Sequence, residues 1–437
     1  MAKKFIIEGG RHLKGEIRIR GAKNAVTKEM VAALLAPGNS VLHNVPEIGD
    51  VEITRQILVS LGCAIDHRKE EGVLEIDAAR LSTQVVPQQY SGLNRIPILL
   101  AGVLLHRFGC AEIPMMGGCD IGPRPLDFHL EGFRALGASI EYENGVYRFT
   151  ARRLKGARVT LPFPSVGATE NLMMAAATAR GTTEIRNAAI EPEIVDLALF
   201  LQSMGAIITQ ETDRTWIIQG VDALHPAQHR VINDRIEAAS FAASAIATRG
   251  DVLIRGADQL HMLTFLNWLR KAGGEYEILE DGIRFKGMDS RLKAIAVETG
   301  VHPGLMTDWQ QPMVILLTQA QGMSVIHETV YENRFGYAET LNRMGARIQL
   351  YSECLGGRDC RFRNSGHKHS AVIQGPTPLK GASIEIPDLR AGFSYLVAAV
   401  LAEGRTEISG VNYIERGYDR VVEKFRQLGT TISVIEE

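Results

Sequence analysis

Hydrophobic positions along the chain repeat one phrase six times: an apolar, helix-periodic stretch closes on a hydrophobic residue, a glycine follows, and a short strand begins. The closures are Leu61-Gly62, Leu136-Gly137, Met204-Gly205, Ala272-Gly273, Met344-Gly345 and Leu428-Gly429. A glycine in that place reads as the residue just past a helix end, where the chain enters the left-handed region before turning into the strand. Upstream of each closure lies a second, alanine-rich helix ending at Gly38, Gly109, Gly181, Gly250, Gly322 or Gly404. The two series advance together by about 70 residues per step, longer than a solenoid repeat.

Between the two helices of each unit sits a β-branched or alternating run, at 40–45, 111–114, 182–186, 251–255, 323–327 and 406–411. Two further strand-like pieces follow the second helix, as at 139–143 and 146–150 around Asn144-Gly145, a dipeptide that favours a tight hairpin. The unit is strand–helix–strand–helix–strand–strand. A chain of 437 residues exceeds one ordinary core and predicts two domains of about 200 residues each. Three units then fall to each domain, helices inward and sheets outward. Small residues such as Ala175-Ala176-Ala177, Ala242-Ala243 and Ala398-Ala399 permit close approach of helices at the centre.

Charge narrows the class. The net charge of −2 supplies no global basic field for nucleic acid or an anionic membrane, so any phosphate recognition is local. The longest apolar run, 96–105, falls short of the roughly 18 residues of a membrane span. Five cysteines (Cys63, Cys110, Cys119, Cys354 and Cys360) make no dense framework. With no signal peptide evident, they predict reduced thiols and a soluble protein of the cytoplasm.

The starts of the alanine-rich helices carry the candidate chemistry. They read Lys23-Asn24, Asn94-Arg95, Ser165 through Asn171, Asn233-Asp234-Arg235, Thr307-Asp308 and Asp388-Leu389-Arg390. Asp, Asn, Ser and Thr at such places cap helices. Capping does not account for Lys23, Arg95 or Arg390, because a cation opposes the dipole at a helix start. Converging helix starts with added cations would suit a polyanionic ligand. The segment 115–129, MMGGCDIGPRPLDFH, is a glycine-rich loop holding Cys119, with Arg124 five residues on. A thiol there reads either as a reactive cysteine in an electropositive loop or as an exposed one on a turn.

These residues resemble the enolpyruvyl transferases over essentially the whole chain. The matching motifs are Gly21-Ala22-Lys23-Asn24, the loop Gly118-Cys119 through Arg124-Pro125-Leu126-Asp127, Pro164 through Asn171, Glu191 through Asp196, Thr307-Asp308, Glu332-Asn333-Arg334-Phe335, Asp388-Leu389-Arg390 and Arg416-Gly417-Tyr418. The resemblance implies a two-domain inside-out α/β barrel, each domain a pseudo-threefold repeat of βαβαββ units. One domain takes 1–21 and 234–437, the other 22–233 with the Cys119 loop, and the two close on substrates in the cleft between them. It further implies cofactor-free, metal-free transfer of the enolpyruvyl group of phosphoenolpyruvate to the 3′-hydroxyl of UDP-N-acetylglucosamine, the first committed step of peptidoglycan precursor synthesis. Nucleic acid and membrane are not expected partners.

By the same resemblance, Cys119 is the loop thiol that protonates the vinyl carbon and is alkylated by fosfomycin, and Asp308 takes the hydroxyl proton. Lys23, Arg124 and Arg416 bind phosphate; Arg334 and Arg390 meet the carboxylate or hold the closed state; Arg95 lies between the two ligands. Arg124, Pro125, Leu126, Asp127 and Phe128 frame the uracil. Ser165, Val166 and Gly167 offer backbone N–H groups to the diphosphate, and Asn24 and Val330 stand by the sugar. Asp388 belongs to the binding set, with Glu191, Glu193 and Asp234 in support.

Several positions depart from the family pattern: Val26-Thr27-Lys28-Glu29 is unusually polar, Ile96-Pro97 follows Arg95 and is expected to move it, and Met306 stands before Thr307. An insertion at 352–370 carries Cys354, Cys360, His367 and His369. Those are zinc-ligand types, but their spacing fits no standard pattern, and the segment reads as a surface loop. Two other functions stay open: the sister transfer to shikimate 3-phosphate, against which the Cys119 loop and the Ser165–Asn171 segment argue, and a UDP-sugar-binding regulator without turnover.

Overall fold

The computed structural model describes residues 3–117, 125–357 and 360–436. They divide into two compact units, one drawn from 21–232 and the other from 3–20 together with 233–436. In the first, the helices are α1 (Lys23–Ala32), α2 (Gly49–Ser60), α3 (Ile96–Phe108), α4 (Asp127–Ala135), α5 (Val166–Ala176) and α6 (Pro192–Ser203). In the second they are α7 (Arg235–Ala247), α8 (Gln259–Lys271), α9 (Gln310–Leu317), α10 (Ala338–Arg343), α11 (Leu389–Leu401), the single turn α12 (Asn412–Glu415) and α13 (Val421–Gln427).

Each unit carries three sheets built to one plan. In the 21–232 unit, Arg158–Thr160 lies parallel to Thr182–Arg186, which pairs antiparallel with Trp216–Gln219 and through it with Ile207–Gln210. The same order joins Gln228–Arg230, Asn39–His43, Val73–Asp77 and Ala64–Arg68. The third sheet joins Cys110–Pro114, Val146–Thr150 and Ser139–Glu143, with a lone parallel bridge from Val85 to Glu112 in place of the edge strand. In the other unit the sheets are Lys14–Arg18, Asp251–Arg255, Gly282–Lys286, Glu275–Leu279; Ala296–Glu298, Gly322–His327, Ser370–Gly375, Arg347–Tyr351; and Ser383–Glu385, Arg405–Ser409, Lys3–Glu8, Thr431–Glu436. The strand at Lys3–Glu8 thus supplies the last hairpin partner of the sixth repeat.

The alternation placed the inter-helix strands within two residues of where they lie. All six closing glycines take left-handed backbone, from φ 87° at Gly273 to φ 110° at Gly345. The second glycine series departs once. Arg249 takes the left-handed turn (φ 54°), and Gly250 is needed for room, since a Cβ there would lie 2.1 Å from the Leu13 carbonyl oxygen. Helices α3, α5, α7, α9 and α11 are buried on nearly every side, as helices apolar all round must be. Strands such as Asn39–His43 and Asp251–Arg255 bury alternate residues toward them. Small side chains let the helices meet: a Cβ on Gly102 of α3 would stand 2.8 Å from Ala175 Cβ of α5.

Several buried polar groups interrupt this core. Glu29 of α1 is wholly buried. His229 Nε2 lies 3.7 Å from Glu29 Oε1 and 3.0 Å from Asp196 Oδ1, and Asp196 Oδ2 accepts from the Ile232 amide at 2.9 Å. Burial, then the Asp196 charge, holds the Glu29 carboxyl well above the ordinary carboxylate range, so its neutral form belongs to the folded state. A carboxyl raised on folding gives stability that is complete below the unfolded value and lost as pH rises through the folded one, about 1.4 kcal/mol for each unit separating them. Glu29→Gln removes that dependence. Melting curves from pH 5 to pH 8 should show the variant gaining on the wild type as pH rises, whereas a constant difference would refute the assignment.

Candidate active site

The sequence-predicted residues fall into two sets, one in each unit. In the 21–232 unit Lys23 opens α1, and its Nζ lies 3.0 Å from Asp50 Oδ2 at the start of α2. Lys28, about one turn on, donates to the Asn24 carbonyl at 2.7 Å and stands 3.7 Å from Glu170 Oε1 of α5. Burial draws both partners toward their neutral forms: it lowers the Lys28 ammonium and, with help from the Glu193 and Glu191 carboxylates and against the pull of Lys28, pushes Glu170 up to about 7. Two cations and four carboxyls therefore gather where α1, α2, α5 and α6 begin. Lys23, Glu191 and Glu193 were anticipated there. Lys28 and Asp50 were not, and Glu170 was named only within the Ser165–Asn171 segment, without a role; the polarity of Lys28-Glu29 inside an apolar helix was the available signal.

At α3 the Asn94 Oδ1 accepts from the Ile96 amide at 3.1 Å, and Arg95 is half-buried at the cap. Pro97 lies in the first turn, where no intrahelical donor is lost. Pro125 and Asp127 are exposed, Leu126 is buried and Phe128 half-buried at the start of α4. His129 on that helix is buried, with its Nδ1 3.0 Å from Asn171 Nδ2, and the same amide donates to the Ile98 carbonyl. A Cβ on Gly167 would stand 3.6 Å from the His129 ring, so α4 is fixed against the start of α5. There Ser165 Oγ accepts from the Ala168 amide at 3.4 Å, and the amides of the first turn, Val166 and Gly167, have no partner within the helix. Cys119 and Arg124 lie outside the described residues. Cys63 is buried and its thiol is pushed up to about 12 by desolvation, which makes it inert.

In the other unit, Asp308 sits on the turn Thr307–Trp309 that leads into α9. Arg334 donates to its Oδ1, and Arg390 Nε donates to its Oδ2 at 3.2 Å. Both arginines are buried, at 4% and 5% exposure. Asp388 caps α11 and orients Arg390, accepting from the amides of Arg390 at 2.9 Å and Ala391 at 3.1 Å. The Arg390 guanidinium lies 5.3 Å from the Tyr418 ring centre, and that of Arg334 5.6 Å from the Tyr331 ring centre. Burial opposes charge on either arginine, but neighbouring Tyr418, Asp308 and Asp234 for Arg390, and Asp308, Asp388 and Glu328 for Arg334, outweigh it. Asp234 caps α7 through the amides of Ile236 and Glu237.

Glu328, not anticipated, shapes the loop that follows. It accepts from Thr307 Oγ1 at 2.9 Å and from the amides of Val330 at 2.8 Å and Tyr331 at 3.2 Å. The Val330 carbonyl accepts from Arg361 of the insertion. Arg416 ends α12 and is half-buried. The structure thus joins Asp308, Arg334 and Arg390 directly, while Val330 is held separately by Glu328 and Arg361.

The sixfold repeat with charged helix starts is the plan of the enolpyruvyl transferases, and the chain belongs to that family: the family model for EPSP synthase (3-phosphoshikimate 1-carboxyvinyltransferase) matches residues 7–425. The chain is 50% identical over 437 residues to UDP-N-acetylglucosamine 1-carboxyvinyltransferase of Protochlamydia amoebophila, covering 99% of this chain and 94% of that protein. It is 40% identical over 436 residues to UDP-N-acetylglucosamine 1-carboxyvinyltransferase 1 of Staphylococcus aureus, covering 99% and 100%. Among solved structures, the enolpyruvyl transferase NikO from Streptomyces tendae shares the fold with TM-score 0.88 at 23% identity, over 99% of both chains. EPSP synthase from Acinetobacter baumannii does so with TM-score 0.74 at 20% identity, over 100% of both.

The Asp308 triad generates a stability test. Asp308→Ala leaves two buried guanidiniums without their shared carboxylate, a loss of roughly 3 kcal/mol. Denaturant unfolding should register it; an unchanged midpoint would show that neighbouring acids suffice without Asp308.

Proposed function

We propose that this chain transfers the enolpyruvyl group of phosphoenolpyruvate to the 3′-hydroxyl of UDP-N-acetylglucosamine, releasing phosphate, as the first committed step of peptidoglycan precursor synthesis in the cytoplasm. The observation that carries the reading is identity of 50% and 40%, over nearly the full chain, to two proteins named for that activity. No described helix is long and apolar enough to cross a membrane. The proposed domains are 1–21 with 234–437, and 22–233.

The reaction needs a proton donor, a base and cations. Cys119 delivers a proton to the terminal vinyl carbon, for which a thiol tuned near the working pH suits a general acid worth about 10²–10⁴-fold. The 3′-hydroxyl oxygen bonds to the central carbon as its proton passes to Asp308. The terminal carbon then returns a proton to the Cys119 thiolate, the bond from the central carbon to the phosphate oxygen breaks with its electron pair going to that oxygen, and phosphate leaves. Lys23, Arg124 and Arg416 hold that phosphate.

Arg334 and Arg390 receive the phosphoenolpyruvate carboxylate. Both donate to Asp308 in the structure, so an arriving carboxylate exchanges for Asp308 and frees it to act as base. Arg95 lies between the two ligands. Arg124, Pro125, Leu126, Asp127 and Phe128 frame the uracil, and the amides at Ser165, Val166 and Gly167 meet the diphosphate. Asn24 and Val330 flank the sugar, while Asp388, Glu191, Glu193 and Asp234 support these groups.

Phosphate release should follow mixing of phosphoenolpyruvate with UDP-N-acetylglucosamine and not with shikimate 3-phosphate. Release with the shikimate ester instead would move the chain to the sister reaction, and silence with both would make it a binding protein. Intact-mass and peptide analysis should place a fosfomycin adduct on Cys119. Cys119→Asp should keep turnover and lose inhibition, whereas an adduct on Cys63 or Cys110 would reject the assignment.

A further inference from the structure

The insertion does not stay apart from the fold. In the sheet that contains Gly322–His327 and Ser370–Gly375, the antiparallel register sets His327 opposite Ser370 and so brings His369 beside it. The donor atoms of His327, Cys354, Cys360 and His369 all lie within 4.8 Å of one another. Cys354 Sγ and His369 Nε2 are 3.4 Å apart, and the two imidazole rings are 5.1 Å apart between centres. A tetrahedral ion with bonds of about 2.0–2.3 Å holds its donors about 3.3–3.8 Å apart, so small side-chain adjustments complete the geometry. His367, which the sequence groups with the cysteines, is not a member.

Hydrogen bonds fix which nitrogen of each ring faces inward. Ser370 Oγ donates its one proton to the Glu353 carbonyl at 2.7 Å, so at 2.9 Å it accepts from His327 Nδ1. His327 therefore presents an Nε2 lone pair, and this atom is buried without a hydrogen-bond partner, on a residue with 0% exposure. A buried nitrogen left this way is costly unless something binds it. His369 Nδ1 lies 2.7 Å from the His367 carbonyl, which can only accept, so its Nε2 lone pair also faces the cysteines. An imidazole whose outer N–H is tied to an oxygen is the arrangement of metal-bound histidine. The Phe362 amide donates to Cys360 Sγ at 3.4 Å, which favours negative charge on that sulfur. Gly356 closes over the site, since a Cβ there would stand 2.6 Å from His327 Cδ2.

We propose that His327, Cys354, Cys360 and His369 bind a zinc ion as a closed structural site. Two thiols, two neutral imidazoles and Zn²⁺ give a neutral complex and release two protons to solvent. Arg361, next to Cys360, donates to the Val330 carbonyl and stands 3.8 Å from Glu332, so the ion steadies the loop leading to Arg334. The proposal stands independently of the reaction assigned above.

The full chain, purified under reducing conditions from zinc-supplemented cells, should carry about one zinc per chain by mass spectrometry of the metal. Cys354→Ser/Cys360→Ser and His327→Ala should each fall below about a tenth of that, and His367→Ala, which loses only a side chain the site does not use, should keep it. Because ligand variants can misfold, wild-type protein stripped by chelation supplies a second measurement. Cobalt should then give the visible bands of a tetrahedral thiolate site, and zinc should restore the melting temperature. A wild type without metal, a disulfide between Cys354 and Cys360, or metal lost by His367→Ala and kept by His327→Ala would each overturn the proposal.

Discussion

A helix buried on nearly every side has little besides its ends to offer to polar chemistry. Five of the described helices are of that kind, and each unit buries them by surrounding them with three sheets and the remaining helices. Charged and amide groups are thereby driven to the helix starts, where unpaired backbone N–H groups already concentrate positive potential. The repeat is therefore more than an architectural economy. It brings helix starts of one design to the residues that carry the proposed chemistry.

The two units hold their charge differently. Around Asp308 the guanidiniums of Arg334 and Arg390 remain ionised despite burial, because acids and aromatic faces stand close by. Around Lys28 and Glu170 burial prevails, and each partner is pulled toward its neutral form. Buried ion pairs sit near this balance in general, since desolvation rivals attraction. One unit thus keeps two fixed cations beside a carboxylate, while the other holds a pair whose proton count can change near neutral pH.

Periodicity made most of the fold legible. Glycine closures and alternating runs located helix ends and strands, because backbone handedness and one-sided burial leave direct traces in sequence. Where a neighbour decided the matter, the trace failed: the left-handed residue is Arg249, and Gly250 is glycine because a Cβ there would meet the Leu13 carbonyl. Helix-start residues such as Asp388 and Asp234 were readable as caps, and their caps are present. Lys28 with Glu170 and Asp50 with Lys23 were not readable as pairs, because each pair spans two helices. His327 was likewise invisible as a companion of Cys354, because the two lie on a strand and a loop far apart in sequence. Strand register, and not spacing, brings it there.

The strand Lys3–Glu8 runs between Arg405–Ser409 and Thr431–Glu436, with Lys3 opposite Glu436. During synthesis this segment leaves the ribosome long before either neighbour exists. The unit spanning 21–232 contains all its own sheet partners and can assemble while translation continues. Its companion must keep an early strand waiting until nearly the whole chain has been made, so vectorial translation imposes an order of completion on two halves of otherwise equal plan.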